Sequence, residues 1–303
     1  MVVRRCGTHL EVHAPAKLNL HLEILARRAD GFHEIETLML SLSLYDTLVF
    51  RPQASDLLTV DCRWTRGLTA RFGSFLGELP QVEDNLVHRA LRLLRERAGI
   101  RRGGDMQVWK RIPSQAGLGG ASSDAAAALL VANAGWELNW PRERLATLAA
   151  ELGSDVPFFL TGGAAICRGR GERIELLDRV PPLHVVVVRP ATGLSTPAVY
   201  KACRVPSEPT RIERIVSAVQ RGAVTQVAAA LMNRLQDPAE RLSPDVVRLR
   251  ETFGRLACLG SQMSGSGSSY FGICRTATQA RQVASRLRAE SAGLVAWGVA
   301  GVA

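Results

Sequence analysis

Three groups of residues in this sequence have types and spacings suited to holding an anion or moving a proton. The first is the run Gly117-Leu118-Gly119-Gly120-Ala121, followed by Ser122, Ser123 and Asp124. Glycines ahead of a helix let backbone N–H groups close on an anion, and the helix dipole adds to that field. Phosphate is the ligand this suits; a tight turn is the plainer alternative. No Gly-Lys-Ser/Thr closes the run, so it is not the usual P-loop. Ala121 and the mid-chain position break the dinucleotide fingerprint, which argues against an NAD-binding oxidoreductase. The second group is Lys17 and Asn19, two residues apart in an alternating segment. The third is Asp155, in Ser154-Asp155-Val156-Pro157. It reads equally as a helix N-cap and as a general base or magnesium ligand at a rigid turn. Phe32-His33 follows the turn Asp30-Gly31. An aromatic beside an imidazole can stack on and hydrogen-bond a heterocycle, and it serves plain packing just as readily.

The surrounding pattern says what would position these groups. Met106–Ile112 reads as a strand that Pro113 ends, since proline cannot donate to a ladder. A helix should open at Ser122/Ser123, with those serines as caps and Asp124 at the positive end of its dipole. Residues 8–25 read as one or two strands. Leu18, Leu20, Leu22 and Ile24 alternate with Lys17, Asn19, His21 and Glu23. Period two puts Lys17 and Asn19 on one face, expected to be wet, with a kink at Ala14-Pro15-Ala16. Leu38, Leu40, Leu42 and Leu44 give another strand, interrupted at Tyr45-Asp46-Thr47 before Leu48–Phe50. Residues 51–83 are the least legible, with a short strand over Leu57–Asp61. Asp84 should cap a helix over Asn85–Ala98 that Gly99 ends. A further helix covers Pro141–Leu152 and stops at Gly153.

Thr161-Gly162-Gly163 marks a domain boundary, giving units over 1–162 and 163–303. Beyond it, Ala164–Arg168 and Arg173–Leu177 read as strands around Gly169-Arg170-Gly171. Val185–Val188 is a buried strand, and a loop over Arg189–Pro197 leads to Val199-Tyr200-Lys201. Residues 209–254 are mostly helical. Gly260–Ser269 is a second glycine-serine loop, leading to a strand at Tyr270–Cys274. A helix over Thr278–Ala292 and a strand over Val295–Val302 complete a two-layer α+β unit.

Composition narrows the class. Of 303 residues, 47% are apolar and 22% charged, as in ordinary globular proteins. No apolar run reaches the length of a membrane span, and the N-terminus has no signal-peptide core; a cytoplasmic protein without a membrane partner is expected. The six cysteines form no CxxC pair, which favours free thiols over a disulfide scaffold or zinc site. The net charge of +10 suits a nucleic-acid surface, but the arginines are dispersed, and an anionic nucleotide substrate accounts for it too; no nucleic-acid partner is expected. Of 38 basic residues only Lys17, Lys110 and Lys201 are lysines, so each marks a place where a compact ammonium is used instead of a planar guanidinium.

Taken together the motifs resemble the GHMP small-molecule kinase superfamily. Four segments carry the resemblance: APAKLNLHLEILARRADGFHEIETL (14–38), PSQAGLGGASSDAAAALL (113–130), LGSDVPFFL (152–160) and SGSGSSYFGI (264–273). The resemblance implies an α+β, two-domain GHMP kinase fold, with a ribosomal-protein-S5-like N-terminal domain and a ferredoxin-like C-terminal domain. It implies Lys17 and Asp155 as the catalytic pair, with Asn19 beside them on the substrate. It implies ATP as phosphoryl donor, held by Pro113, Gly117, Leu118, Gly119, Gly120, Ala121, Ser122 and Ser123, with Asn85, Lys110 and Asn133 on the adenosine side. Mg²⁺ would accompany it, with the Ser123 hydroxyl as candidate ligand. The ADGFH segment is the most specific of the motifs. It resembles the branch that phosphorylates the 2-hydroxyl of a diphosphocytidyl-methylerythritol in non-mevalonate isoprenoid precursor biosynthesis. On that likeness Phe32 and Tyr200 sandwich the cytosine of a cytidine diphosphate substrate and His33 reads its edge. Mevalonate, homoserine or a sugar is the alternative acceptor within the superfamily. Two departures stand out: Ala121 replaces a third consecutive glycine, where its methyl group would crowd the phosphates, and residues 63–79 run longer than the family needs.

Overall fold

The computed structural model describes residues 1–178, 180–290 and 292–301. The chain opens with a hairpin of β1 (Val3–Cys6) and β2 (His9–Arg27), and β3 (His33–Gln53) folds back antiparallel along β2. At 19 and 21 residues, β2 and β3 far exceed the usual strand of about 5–6. Register shifts at Pro15/Ala16, Asn19/His21 and Ile24/Ala26 bend the ribbon, as bulges do. The first of these is the kink expected at Ala14-Pro15-Ala16. β4 (Leu58–Trp64) runs parallel to β5 (Gly103–Lys110), which pairs with β3. Between them lie α1 (Leu68–Phe72), a 3-10 turn over Gly73–Leu76 and α2 (Leu86–Ala98). Next come α3 (Gly120–Gly135), α4 (Arg142–Leu152) and α5 (Val156–Thr161). Every residue of α3 from Ser123 to Ala132 is buried, which identifies a central helix. Its alanines allow close approach to Leu10, Phe50 and Met106 of the sheet and to Leu91, Leu94 and Leu145 of the flanking helices.

β6 (Ala164–Gly169) pairs with β3, and β7 (Arg173–Leu176) with β6. β8 (Leu183–Arg189) is followed by α6 (Thr196–Ala202), α7 (Glu213–Gln220) and α8 (Val224–Ala229). The two-residue β9 (Met232–Asn233) adds to β2, ahead of α9 (Gln236–Leu242) and α10 (Pro244–Gly254). β10 (Gly260–Met263), β11 (Tyr270–Cys274), α11 (Ala277–Ala289) and β12 (Leu294–Ala300) complete the chain. The antiparallel order β12-β8-β11-β10 is that of a ferredoxin-like βαββαβ unit. α10 and α11 bury Val246, Leu249, Phe253, Val283 and Leu287 against Val186, Val188 and Tyr270. Where the halves meet, Leu18, Leu20, Leu38 and Leu40 pack on Val185, Val187, Phe271 and Ile273. Ala300 pairs with Leu42, so among the described residues one 12-stranded sheet runs through both halves. The expected boundary at Gly162-Gly163 falls between α5 and β6, yet β6 and β7 hydrogen-bond onto β3 and complete the N-terminal part of the sheet.

Local expectations fail where tertiary contacts decide. β3 is not interrupted at Tyr45–Thr47: Leu42 pairs with Ala16 and Tyr45 with Pro15, so the chain bulges and continues. The second face of β2 is dry, with Lys17, Asn19, His21 and Glu23 all buried, because β9 and the 260–269 segment cover it. Asn85, not Asp84, caps α2, its Oδ1 accepting the Val87 N–H at 2.9 Å. α3 begins at Gly120 without a side-chain cap, so Ser122 and Ser123 lie inside its first turn. Gly260–Met263 is strand, and Val199–Lys201 belong to α6. α11 stops at Ala289, and Val302 lies outside the described residues. The illegible 66–79 stretch supplies α1 and the 3-10 turn. Its Leu76 is buried, and the Leu76 carbonyl accepts the Ser114 N–H at 2.8 Å.

A buried charge cluster joins three of these elements. Lys110, at the end of β5, donates to Asp46 in the β3 bulge and to Asp124 in the first turn of α3, the latter at 2.6 Å. Asp46 also accepts the backbone N–H groups of Arg111 and Ile112. Burial disfavours the ammonium, but the Asp124 and Asp46 carboxylates outweigh it and hold the Lys110 pKa above its ordinary value. For Asp124, burial outweighs the Lys110 attraction and its pKa rises. Removing one partner of a buried pair leaves the other charge uncompensated. Lys110→Met should therefore lower unfolding free energy by about 3–5 kcal/mol, read as the shift in urea midpoint. An unchanged midpoint would show that the cluster holds nothing together.

Candidate active site

A cleft of about 1110 Å³ lies between the two halves. Lys17 enters it from β2, just past the Pro15 bulge, with its Nζ 3.6 Å from Asp155 Oδ2. The ammonium also donates to Asn19 Oδ1. Asn19 Nδ2 donates to Thr37 Oγ1 at 2.8 Å, and the Thr37 hydroxyl donates to the His21 carbonyl at 2.6 Å. Lys17 therefore has little rotational freedom. Asp155 holds the N-cap position of α5 without a side-chain cap, its side chain is one-third exposed, and the residue lines the cleft.

The glycine run forms the adjoining wall. Gly117 and Gly119 both have φ of +71°, a region that disfavours a Cβ. A methyl group at 117 would sit 2.1 Å from the Ser264 carbonyl, and one at 119 would meet Phe159 at 2.7 Å and Lys17 Cγ at 3.0 Å. The run is thus pressed between Lys17 and the second glycine loop. Lys17 N–H donates to the Leu118 carbonyl at 2.9 Å, Ser264 Oγ to the Gly117 carbonyl at 3.0 Å, and Ser269 N–H to the Ala116 carbonyl at 3.1 Å. Asn233 Nδ2 braces the second loop by donating to the carbonyls of Met263 and Gly265. The opening turn of α3 leaves its first N–H groups without intrahelical partners beside this cleft, where they can bind an anion. Ala121 is exposed there, at the rim, whereas a Cβ would crowd its neighbours at 117, 119 and 120.

Other expected contacts divide. Pro113, Leu118, Gly120, Ser122 and Asn85 line the cleft, although Asn85 Oδ1 is used as the cap of α2. Lys110 lines it too, with its ammonium held by Asp46 and Asp124. Ser123 is fully buried, its Oγ has no hydrogen-bond partner, and it does not line the cleft; Ser122 does. Asn133 is not at the site. It lies at the far end of α3, about 20 Å along the axis at 1.5 Å per residue, and clips the chain by bonding the Trp140 N–H and carbonyl at 3.0 and 3.1 Å.

At the other end of the cleft, Phe32, His33 and Tyr200 come together from the β2–β3 turn and α6. The His33 and Tyr200 rings are 5.3 Å apart at 40°, and the Arg170 guanidinium lies 5.0 Å from the centre of the half-exposed Phe32 ring. Burial, then the Arg27 charge, lowers the His33 pKa, which keeps the imidazole neutral near neutral pH. Burial raises the Tyr200 phenol, and Asp155 adds to that. Sequence reasoning missed Thr37, Arg170 and Asn233. Arg170 sat in a recognised turn, and Thr37 carried no signal beyond an ordinary strand position.

Residues 85–163 match the model of the GHMP kinases N terminal domain, and residues 215–293 that of the GHMP kinases C terminal domain. The 4-diphosphocytidyl-2-C-methyl-D-erythritol kinase of Pelotomaculum thermopropionicum is 40% identical over 277 residues, covering 91% of this chain and 92% of its own. A crystal structure of a 4-(cytidine 5'-diphospho)-2C-methyl-D-erythritol kinase superposes with a TM-score of 0.78 at 38% identity, covering 97% and 100% of the two chains. The homoserine kinase of Cytophaga hutchinsonii shares the fold, with a TM-score of 0.70 at 18% identity and coverage of 100% and 97%. With both domain models matched in order and a relative at this identity over nine-tenths of its length, the chain belongs to the GHMP kinase family.

Proposed function

We propose that this chain transfers the γ-phosphoryl group of ATP to the 2-hydroxyl of 4-diphosphocytidyl-2-C-methyl-D-erythritol, a step of non-mevalonate isoprenoid precursor biosynthesis. The observation that carries the reading is one of placement. Lys17 and Asp155 stand in a single cleft with the glycine run and with Phe32, His33 and Tyr200. A phosphate cradle and an aromatic base site flanking one acid–base pair suit an acceptor that is itself a nucleotide. The relatives named for that substrate support the same choice over mevalonate or homoserine. In this reading residues 1–162 bring the phosphate loop and the catalytic pair, and residues 163–303 complete the substrate wall.

Phosphoryl transfer asks a protein mainly for alignment and for neutralisation of charge. Asp155 accepts the proton of the attacking hydroxyl. Lys17, fixed by Asn19 and Thr37, sets the position of that carboxylate and offsets negative charge on the attacking oxygen. The amides of Gly119, Gly120, Ala121 and Ser122 hold phosphate oxygens at the α3 N-terminus. ATP supplies the phosphoryl group, and Mg²⁺ neutralises its oxygens. The Ser122 hydroxyl beside the loop would offer Mg²⁺ the hard oxygen ligand it prefers, in place of the buried Ser123. Phe32 and Tyr200 stack on the cytosine, and the neutral His33 hydrogen-bonds its edge.

Phosphorus NMR of the protein with ATP, Mg²⁺ and the diphosphocytidyl substrate should show a new phosphomonoester that is absent with mevalonate or homoserine. Turnover of one of those alcohols instead would keep the kinase and discard the cytidine site. Asp155→Asn, folded by circular dichroism, should lose roughly 10²–10⁴-fold in kcat; wild-type turnover would remove Asp155 from the role of base. Lys17→Arg keeps the charge but not the compact ammonium, so kcat should fall, and an unchanged kcat would sink the requirement for lysine. Base–aromatic stacking is worth about 1–3 kcal/mol. Phe32→Ala should accordingly raise KM for the cytidine substrate by roughly ten- to a hundredfold while leaving KM for ATP near its wild-type value; equal rises in both would place Phe32 elsewhere.

A further inference from the structure

The N-terminal hairpin carries ligating side chains that the kinase chemistry does not use. Cys6, His9 and Glu11 each place one donor atom (a thiol sulfur, an imidazole nitrogen and a carboxylate oxygen) so that all three lie within 4.8 Å of one another. Strand register explains the cluster. Cys6 and His9 are direct cross-strand partners beside the turn at Gly7, and Glu11 follows His9 by two residues on β2, so all three leave one face of the hairpin. None of them lines the cleft.

We propose that Cys6, His9 and Glu11 form a binding site for a zinc-class divalent cation, with water in the remaining position. Zinc bonds of about 2.0–2.3 Å to sulfur, nitrogen and oxygen put two ligands of one ion up to roughly 4 Å apart, so small side-chain rotations close the set. The three donors sit on paired strands, which limits the ordering that binding requires. An outer shell is present as well. His13 Nε2 lies 3.2 Å from Glu11 Oε1, and its Nδ1 lies 3.2 Å from Thr47 Oγ1; such a partner orients a ligating carboxylate. Thiolate and imidazole select zinc, cobalt or nickel over magnesium, so the site does not compete for the Mg²⁺ that accompanies ATP. The bound ion releases the Cys6 thiol proton to solvent and fastens edge strand β1 to β2. Arg4 is the cross-strand partner of Glu11, and its positive charge opposes the ion. The absence of a CxxC pair, which argued against zinc in the sequence, does not bear on a Cys-x2-His-x-Glu set closed by a hairpin.

Cobalt is the probe. Titration of the full chain with Co²⁺ should produce, at one equivalent, a thiolate-to-cobalt charge-transfer band and the intense visible bands of four-coordinate cobalt. Zn²⁺ should erase both, and excess Mg²⁺ neither. Cys6→Ser should abolish the charge-transfer band without altering the circular dichroism spectrum or phosphoryl transfer, since Cys6 is exposed and remote from the cleft. His9→Ala and Glu11→Gln should each weaken Co²⁺ binding at least as much as loss of an outer-shell partner does, roughly 10–100-fold, and Arg4→Gln should strengthen it. A charge-transfer band that persists in Cys6→Ser would belong to another of the six cysteines and would overturn the assignment, as would no band at all.

Discussion

The site depends on one buried ammonium. Lys110 lies between Asp46 and Asp124 with almost no exposure, and these three residues come from β5, the β3 bulge and the opening turn of α3. A charge in that setting is tolerable only with full pairing and hydrogen bonding. The two carboxylates reach the ammonium only when the three elements adopt one mutual arrangement. That arrangement places the N-terminus of α3 at the cleft. The glycine run between β5 and α3 then has its two ends held: one by Asp46, through the Arg111 and Ile112 amides, and the other by Asp124. An anion site made of backbone amides needs such anchoring, because amides have no side chain of their own to lock.

Two lysines of three thus face the same loop from opposite sides with different tasks. Lys110 is saturated by carboxylates and serves position. Lys17 is equally buried, but its partners are the neutral Asn19 oxygen and an Asp155 carboxylate at 3.6 Å that is open to solvent. Its charge is therefore less fully offset within the protein, and the glycine run beside it is where an anionic group would complete the offset. The contrast follows from the strands. β2 presents Lys17 and Asn19 at period two into the cleft, and β3 presents Thr37 to tie them, whereas the β3 bulge turns Asp46 toward β5 instead.

Much of this was legible from local pattern. The alternation through Leu18–Ile24 predicted that Lys17 and Asn19 share a face, Pro15 predicted the kink, and the helices ending at Gly99 and Gly153 stop there. What local pattern could not carry was long-range. Lys110 and Asn85 read as nucleotide contacts and both line the cleft, but no local pattern showed that Asp46, 64 residues away, holds the first or that the second caps α2. Asn133 fails for a simpler reason: α3 is one continuous helix, and its C-terminal end cannot reach a ligand at its N-terminal end. The wet face expected for β2 is dry because β9, more than 200 positions along, pairs with it. No window of sequence contains that information.

The same long-range covering ties the C-terminal half to a cleft whose Lys17–Asp155 pair lies in the N-terminal half. Glu23 is fully buried on β2 and is held by Arg234, by the Thr210 N–H and by the Ile24 N–H. Burial alone would raise its pKa, but these partners reverse the shift and leave it lowered. A carboxyl with a depressed folded pKa adds stability above its unfolded value, and that stability is lost as pH falls through the folded one. The residue before Arg234 is Asn233, which braces the second glycine loop through Met263 and Gly265, and that loop in turn holds Gly117 through Ser264. The ion pair that docks β9 on β2 is therefore joined, through four residues, to the first glycine run. Acid that protonates Glu23 would release the covering segment, and the glycine run that it braces would loosen with it.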